Sequence, residues 1–307
     1  MLGLRYHVAS LAAVFLALAV GILLGVAVSG KISEADDALQ RSRLQRLEQD
    51  LESARARGDS AQERGEAAQR VLENAYPALM ENRLAGRSVA ILFLGSVDGS
   101  ARSEIEETLT DADAGSPVRT IGLNVPLDPV DLESTLEGDD GLASYANQDG
   151  DFGELGRSLG RELVDGGDTP LWTALSSKLV EEKSGGLSPE ADAVVVMDSW
   201  TPDSDGDSGE AAAATSATRS LLEGLVSGLD GTGVPVVGVA ATGDPQRLLD
   251  LYRDQGISSV DDIDTLAGRL ALALVLAGGD AGHYGVRDSA TDGVTPPIEA
   301  VTTSTSG

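Results

Sequence analysis

The chain has 307 residues, and its 50 acidic and 22 basic side chains give a formal net charge of −28. This charge repels nucleic acid and no basic stripe offsets it, so nucleic acid is excluded as a partner. The absence of cysteine excludes disulfides, thiolate nucleophiles and thiolate metal sites.

The first predicted element is an apolar helix from Val8 to Val28, VASLAAVFLALAVGILLGVAV. An α-helix rises about 1.5 Å per residue, so a run of this length reaches across the hydrocarbon core of a bilayer. We predict a transmembrane helix within residues 1–31, which makes membrane lipid a partner. The alternative is a signal peptide cleaved near Ser29, for which the apolar run is too long.

Small residues recur every four positions along this helix and predict a face along which two helices can approach closely. A homo-oligomer is therefore expected, although the abundance of alanine and glycine alone also explains the pattern. Long downstream regions translocate largely regardless of their charge, so we place the C-terminal region outside the cytoplasm. This face, a small-residue ridge, consists of Ala9, Ala13, Ala17, Gly21, Gly25 and Ser29.

A coiled-coil stalk is predicted for residues 32–86, because apolar and small residues follow a heptad seam there. Glycines at two seam positions weaken it by about 1 kcal/mol each, and Pro77 is expected to kink or end the helix near Tyr76. A helical stalk that folds back on its own domain is the alternative. The seam contains Leu44, Leu47, Leu51, Ala54, Gly58, Ala61, Gly65, Ala68, Leu72, Ala75 and Leu79.

Residues 87–284 alternate between short apolar runs and helical patterns. Continuously apolar strands that alternate with helices indicate a parallel sheet covered on both faces. We predict an α/β fold with a doubly wound, mostly parallel sheet of flavodoxin- or Rossmann-like type, followed by a flexible tail at residues 285–307. The predicted strands are Ser88–Leu94, Val118–Leu123, Ala193–Met197, Val234–Ala240 and a short edge strand, Ile257–Val260.

The helices predicted between these strands are amphipathic or apolar. The segment Gly138–Gly150 is acidic and glycine-rich and is predicted to be a loop. The predicted helices are Ala101–Ala112, Asp128–Leu136, Phe152–Val164, Leu171–Lys183, Ala211–Leu229, Pro245–Gln255 and Thr265–Ala277.

The search for catalytic motifs finds none whose residues take defined roles. The turn from Gly95 to Ser100 lacks the second glycine of a dinucleotide fingerprint. The sequence also has no phosphate-binding Gly-Lys-Ser/Thr and no Gly-x-Ser-x-Gly elbow. We therefore predict that the chain is not an enzyme and has no catalytic or cofactor-binding residues.

The sequence does not single out a set of metal ligands. The aspartates Asp203, Asp205 and Asp207 resemble a calcium loop, but Ser208 and Ala214 stand where that loop needs glycine and glutamate, so a solvated acidic loop is favoured. Copper prefers histidine, methionine or cysteine, and none of the available side chains are paired at ligand spacing. We interpret His7 as interfacial and His283 as structural. The available side chains are His7, His283, Met1, Met80 and Met197.

Two stretches carry a resemblance to a known family. Leu4–Ala19, LRYHVASLAAVFLALA, and Gly256–Val286, which ends in Gly-His-Tyr-Gly-Val, resemble the mycobacterial copper transport protein B family of actinobacteria. The resemblance implies a membrane-bound envelope protein for copper efflux or copper handling, with copper as a possible transported ion. The alternative is a non-catalytic bitopic scaffold that self-associates through its membrane helix and stalk.

Overall fold

The computed structural model describes residues 3–146, 150–200 and 209–298, without the side chains of residues 3–9, 26–42 and 246–248. Contacts divide the chain into two compact units, Met1–Arg70 and Val71–Gly307. The second unit contains the α/β domain. Its first residue lies within the segment that the sequence assigned to the stalk.

Helix α1 runs from Gly3 to Met80. Within the part of the chain that the structure describes, no helix is both long enough and apolar enough to cross a membrane. The predicted transmembrane segment Val8–Val28 lies only partly in that part, because the side chains at both of its ends are outside the described residues.

The last turns of α1 belong to the core of the α/β domain. The side chains of Tyr76 and Met80 are buried, as is that of Leu84 in the turn after the helix, and the Leu84 N–H donates to the carbonyl of Ala112 over 2.7 Å. The helix also continues through Pro77 and ends one turn later than the sequence indicates. Pro77 cannot donate the hydrogen bond that residue 77 would make to the preceding turn, and the helix continues for only three residues beyond it.

A mostly parallel sheet forms the centre of the domain, and all of its pairings except β2–β3 are parallel. The order is β3-β2-β1-β4-β5-β6-β7, in which β1 lies between the next two parallel strands, as in flavodoxin-like sheets. Its strands in the described residues are β1 Val89–Phe93, β2 Arg119–Leu123, β3 Val180–Gly185, β4 Ala193–Met197, β5 Val236–Val239, β6 Ser258–Val260 and β7 His283–Tyr284.

Short polar side chains define where several helices begin. The side chain of Asp98 accepts a hydrogen bond from the Ala101 N–H at α2, and Asp128 and Thr265 cap α3 and α8 in the same way. Such caps satisfy N–H groups that have no partner within the helix. The helices of the domain are α2 Gly99–Asp111, α3 Pro129–Glu137, α4 Gly153–Asp165, α5 Pro170–Leu179, α6 Gly209–Asp230, α7 Gln246–Asp254 and α8 Leu266–Leu276.

Two hydrophobic cores lie on opposite faces of the sheet. On β1, Leu92 packs in the core that α3 to α7 cover. Its neighbour Ile91 packs in the core that α2, α8 and the end of α1 cover. Successive residues of a strand point to opposite faces, so strands as apolar as β1 and β4 require cover on both sides. The predicted α/β class with a mostly parallel sheet is confirmed.

Helices α4 and α6 pack backbone against backbone at four glycines. A Cβ atom on Gly156 would overlap the carbonyl of Leu221, and one on Gly224 would overlap the carbonyl of Gly153. Gly160 and Gly228 make equivalent contacts one turn further along. This crossing uses the same four-residue spacing of glycines that brings membrane helices together, but within the α/β domain.

The predicted helix Leu171–Lys183 is wrong over its last four residues. Helix α5 ends at Leu179, and β3 follows as an exposed strand that pairs antiparallel with β2. The ion pair of Arg102 with Glu182, 2.7 Å long, ties this strand to α2. Pairing with a strand about 60 residues earlier therefore overrides the local helical pattern.

The far side of the sheet also differs from the prediction. Strand β6 is not an edge strand, because β7 pairs beyond it. The tail after β7 contacts the domain, since the Asp292 N–H donates to the carbonyl of His283 in β7, and it folds on itself, since the Gly285 N–H donates to the carbonyl of Gly293. The tail is thus anchored up to residue 293 at least, and residues 299–307 lie outside the described part.

Candidate functional site

The loops after β1 and β4 meet where the strand order reverses. The Ser199 hydroxyl donates to the carbonyl of Ser96 over 2.7 Å. Gly95 has a φ of +145°, and a Cβ atom there would lie 2.6 Å from Oγ of Ser199. Open α/β sheets bind ligands in a crevice between the loops at this point. In this chain the two loops contact each other there.

Among the described residues, three buried aspartates follow the C-terminal ends of sheet strands: Asp198 after β4, and Asp261 and Asp262 after β6. Asp261, which is 1% exposed, directly follows β6. Its two carboxylate oxygens accept hydrogen bonds from the N–H groups of Val286 and Arg287, each over 2.9 Å. A buried carboxylate is costly unless it is hydrogen-bonded in this way, so Asp261 fixes the segment that follows β7.

Close contacts account for the two glycines of the Gly-His-Tyr-Gly sequence. Gly285 has a φ of +140°, and a Cβ atom there would overlap the Asp261 carboxylate. A Cβ atom on Gly282 would lie 3.0 Å from the Tyr284 hydroxyl, which donates to the carbonyl of Asp280. Both glycines therefore serve close packing at the end of the sheet.

Asp262 is the least satisfied of the three aspartates. One of its oxygens accepts from the Thr265 hydroxyl over 3.0 Å, whereas Oδ1 has no hydrogen-bond partner among the described residues. Burial is the main cause that raises the pKa of Asp262, and the neighbouring carboxylates of Asp261 and Asp264 raise it further. A raised pKa in a buried acid is typical of functional sites but also of structural clusters.

The side chain of Tyr252 packs against β5 at Gly238 and contacts the chain at the end of β4. Its hydroxyl accepts from the Asp198 N–H over 2.7 Å, and its ring lies where a Cβ atom of Gly238 would stand. Complete burial raises the pKa of this phenol well above its ordinary value. Tyr252 is therefore a neutral structural group.

An open cavity of about 530 Å³ lies beside the tail and is lined by Arg253, Val286, Arg287, Asp288 and Ser289. The guanidinium of Arg287 donates to the carbonyls of Asp244 and Ala241. That of Arg253 donates to the carbonyl of Ser289 over 2.8 Å. Arg253 therefore holds the cavity wall at Ser289, whereas Arg287 ties the tail to the loop after β5.

In the part of the chain that is described, the histidine and methionine side chains that could bind copper do not lie together. Met80 and Met197 are buried in the core on the α2–α8 face. Nδ1 of His283 lies 3.0 Å from the Ser259 hydroxyl, and burial followed by the nearby Arg253 charge lowers the pKa of its imidazole. Met1 and the side chain of His7 lie outside the described residues, as do Asp203, Asp205 and Asp207.

A metal centre within the domain would need several convergent ligands. Within the described residues, no group of three or more histidine, aspartate or glutamate side chains has the arrangement to hold a metal ion. What the structure shows at the C-terminal ends of the strands is the hydrogen-bonded contact of Asp261 with the segment after β7. No local pattern in the sequence predicts this contact, although Asp261 and Gly285 both lie in the stretch Gly256–Val286 that resembles the family.

Comparison with known proteins identifies the family. The profile of the family described as "Copper transport outer membrane protein, MctB" matches residues 1–296. The chain belongs to the MctB family. Its similar relatives include the copper transporters MctB of Mycobacterium bovis and of two Mycobacterium tuberculosis strains. Each is 26% identical over 321 aligned residues, which cover 93% of this chain and 96% of the relative.

The resemblance stated from the two ends of the sequence is confirmed by this match. The MctB match spans the apolar segment, the whole of α1 and the α/β domain, including the Asp261–Gly285 contact. The family is named for copper transport in the outer membrane and not for an enzymatic reaction.

Proposed function

We propose that this chain is a single-pass membrane protein of the cell envelope that takes part in copper efflux or copper handling, with its α/β domain outside the cytoplasm. The observation that carries the proposal is the match of the copper transport family over residues 1–296. We also propose that the protein acts without enzymatic chemistry and that copper is its cargo.

The described part of the predicted membrane segment supports a lipid-facing role. Its large apolar side chains are between 47% and 71% exposed, in a helix with no charged residue in this stretch. Water-exposed apolar surface of this extent is unfavourable, and lipid would cover it on every side. These side chains are Leu11, Val14, Phe15, Leu16, Leu18, Val20, Ile22, Leu23 and Leu24.

The acidic balance of the chain supports a role beside cations. A net charge of −28 raises the local concentration of metal ions near the protein surface. This attraction is unselective, so selectivity for copper would depend on residues or partners beyond the described α/β domain.

The copper role is tested by deleting the gene and measuring cell copper content and copper tolerance. We expect higher copper content and lower tolerance, and both should return to normal when the full chain is restored. A deletion strain with unchanged copper content and unchanged tolerance would reject the role.

The anchor is tested separately by carbonate extraction of membranes. Replacing Phe15 and Leu18 together by arginine should release the chain, because a charge at the centre of a membrane helix costs about 2.5–3.5 kcal/mol. The matched control is the same double replacement at Leu44 and Leu47, which lie outside the apolar segment. Retention of the Phe15/Leu18 variant in the membrane pellet would contradict the single-pass anchor.

A second candidate function is that of a scaffold that self-associates in the membrane. It is favoured by the small-residue ridge, since Gly21 and Gly25 have open space around them in this chain. Crosslinking in membranes should then give oligomers even in a strain whose copper content is normal. A strictly monomeric species would reject the scaffold.

A further inference from the structure

We infer that residues 43–70 of α1 pair with a second copy of this chain as a parallel, in-register, two-stranded coiled coil. The inference deepens the scaffold candidate by naming the partner and the surface. It rests on the proposed membrane anchor only for the expectation that both copies point the same way. Its other support comes from the exposure, spacing and charge of the described side chains.

The apolar seam of this segment is exposed. Leu44, Leu47 and Leu51 are 58%, 64% and 51% exposed, although they recur at the 3-4 spacing of a coiled coil. A helix with an uncovered apolar stripe is marginal in water, because tertiary packing of that stripe provides most helix stability. A partner that covers the stripe is therefore needed.

The distribution of leucine along the seam selects a parallel arrangement. The three leucines occupy consecutive seam positions, and the following seam positions hold Ala54, Gly58, Ala61, Gly65 and Ala68. In a parallel, in-register pair each leucine meets its own copy, so three leucine layers stack together. An antiparallel pair of the whole segment would instead place the leucines against alanine and glycine and would bury less apolar surface.

The charges beside the seam agree with the same register. In a parallel coil the position before an a residue faces the position after the next d residue of the partner. With Leu44 and Leu51 at a, Arg43 then faces the partner's Glu48, and Asp50 faces the partner's Arg55. Both contacts join opposite charges, and two-fold symmetry repeats each of them.

The glycines of the seam favour two helices over three. Gly58 and Gly65 have no heavy atom within 4 Å of a Cβ position, so each leaves room for a neighbouring backbone. Two helices can close this space by approaching each other. Three helices around a common axis would leave a void at each glycine, which would cost packing free energy.

Single-cysteine crosslinking of the full chain in detergent tests the register. The natural chain has no cysteine, so each variant carries one thiol. Under mild oxidation, Leu47→Cys and Leu51→Cys should form at least fivefold more disulfide-linked dimer than Gln49→Cys, which lies on the outer face of the same turn. Light scattering of the unaltered chain should give the mass of two copies.

Charge reversal provides a second test that leaves the leucines in place. Glu48→Arg should weaken dimerisation about fivefold, because two symmetric attractive pairs become repulsive. Adding Arg43→Glu to the same chain should restore the dimer, because the pairs are again opposite in charge. Equal dimerisation of all three chains would overturn the register.

The failure of this inference is distinguishable from failure of the proposed function. The disulfide pattern is measured on purified chain without copper, so it does not depend on a copper phenotype or on retention in the membrane. Equal crosslinking at positions 47, 49 and 51 would overturn the coil. Crosslinks between Leu44→Cys and Ala68→Cys chains, without Leu44→Cys homodimers, would overturn the parallel orientation.

Discussion

The α-carbon of Gly285 lies so close to Asp261 that any side chain at this position would overlap the carboxylate. The same carboxylate accepts hydrogen bonds from the two N–H groups that follow Gly285 by one and two residues. The chain after β7 is thus held by the buried Asp261 carboxylate, which can approach it closely because residue 285 is glycine.

Replacing Gly285 by alanine should destabilise the α/β domain by about 2–4 kcal/mol. The added methyl group meets the Asp261 carboxylate, and the φ of +140° is unfavourable for a residue with a Cβ atom. Guanidinium unfolding of the full chain in detergent, followed by the fluorescence of the buried Trp172, measures the change.

Gly293→Ala is the matched control for this substitution. Gly293 also has a positive φ, +104°, but nothing lies within 4 Å of its Cβ position. We expect a loss of about 1 kcal/mol from backbone strain alone. If the two variants lose equal stability, the contact with Asp261 is not the cause.

The α4–α6 crossing gives a second stability prediction. Gly156→Ala should cost about 2–3 kcal/mol, because the methyl group would overlap the Leu221 carbonyl and force the helices apart. Gly99→Ala is the control, since its Cβ position on α2 is open and alanine there should change stability by less than about 1 kcal/mol. A harmless Gly156→Ala in the same unfolding experiment would show that the helices can move apart freely.

Asp262→Asn should stabilise the domain increasingly as the pH rises. Burial raises the pKa of Asp262 in the folded chain above the value of about 3.9 in the unfolded chain. The folded state therefore holds this proton more tightly, and the resulting stability is lost as the pH rises through the folded pKa. Asparagine cannot ionise and can still accept from Thr265.

The measurement for Asp262 is the difference in unfolding free energy between variant and natural chain. This difference should be smallest at about pH 4 and should grow as the pH rises through the folded pKa of Asp262. A difference that stays constant as the pH rises would mean that Asp262 does not change its charge on folding.

His283→Gln should leave copper tolerance unchanged in the restored deletion strain. The imidazole contacts the Ser259 hydroxyl, and within the described residues it belongs to no group of side chains that could hold a metal ion. Glutamine keeps a hydrogen-bonding group at this position, so the strand should remain paired. Copper tolerance as low as that of the deletion strain, at normal protein level, would make His283 a copper ligand.

The central strands could be predicted because their sequences leave little choice. Runs such as VAILF in β1 and AVVVM in β4 are apolar at every position, and only a strand covered on both faces accommodates them in so few residues. The predicted helix Asp128–Leu136 likewise matches α3 within one residue at each end, and the structure adds that Asp128 caps its start.

The parts that were missed depend on contacts distant in sequence. Strand β3, with the sequence VEEKSG, has charged side chains and becomes a strand through pairing with β2. The contact of Asp261 with the tail joins residues 25 apart, and neither partner has a local pattern that predicts it. Glycines at four-residue spacing were noticed near Gly21, whereas those on α4 and α6 were not.

The position of the Asp261 contact determines how a shortened protein must be designed. A fragment that stopped at Tyr284, where the sequence suggested the domain ends, would remove both amide donors and leave the buried Asp261 carboxylate without these hydrogen bonds. Recombinant fragments intended for crystallisation or calorimetry should therefore extend to residue 298 and begin no later than residue 71.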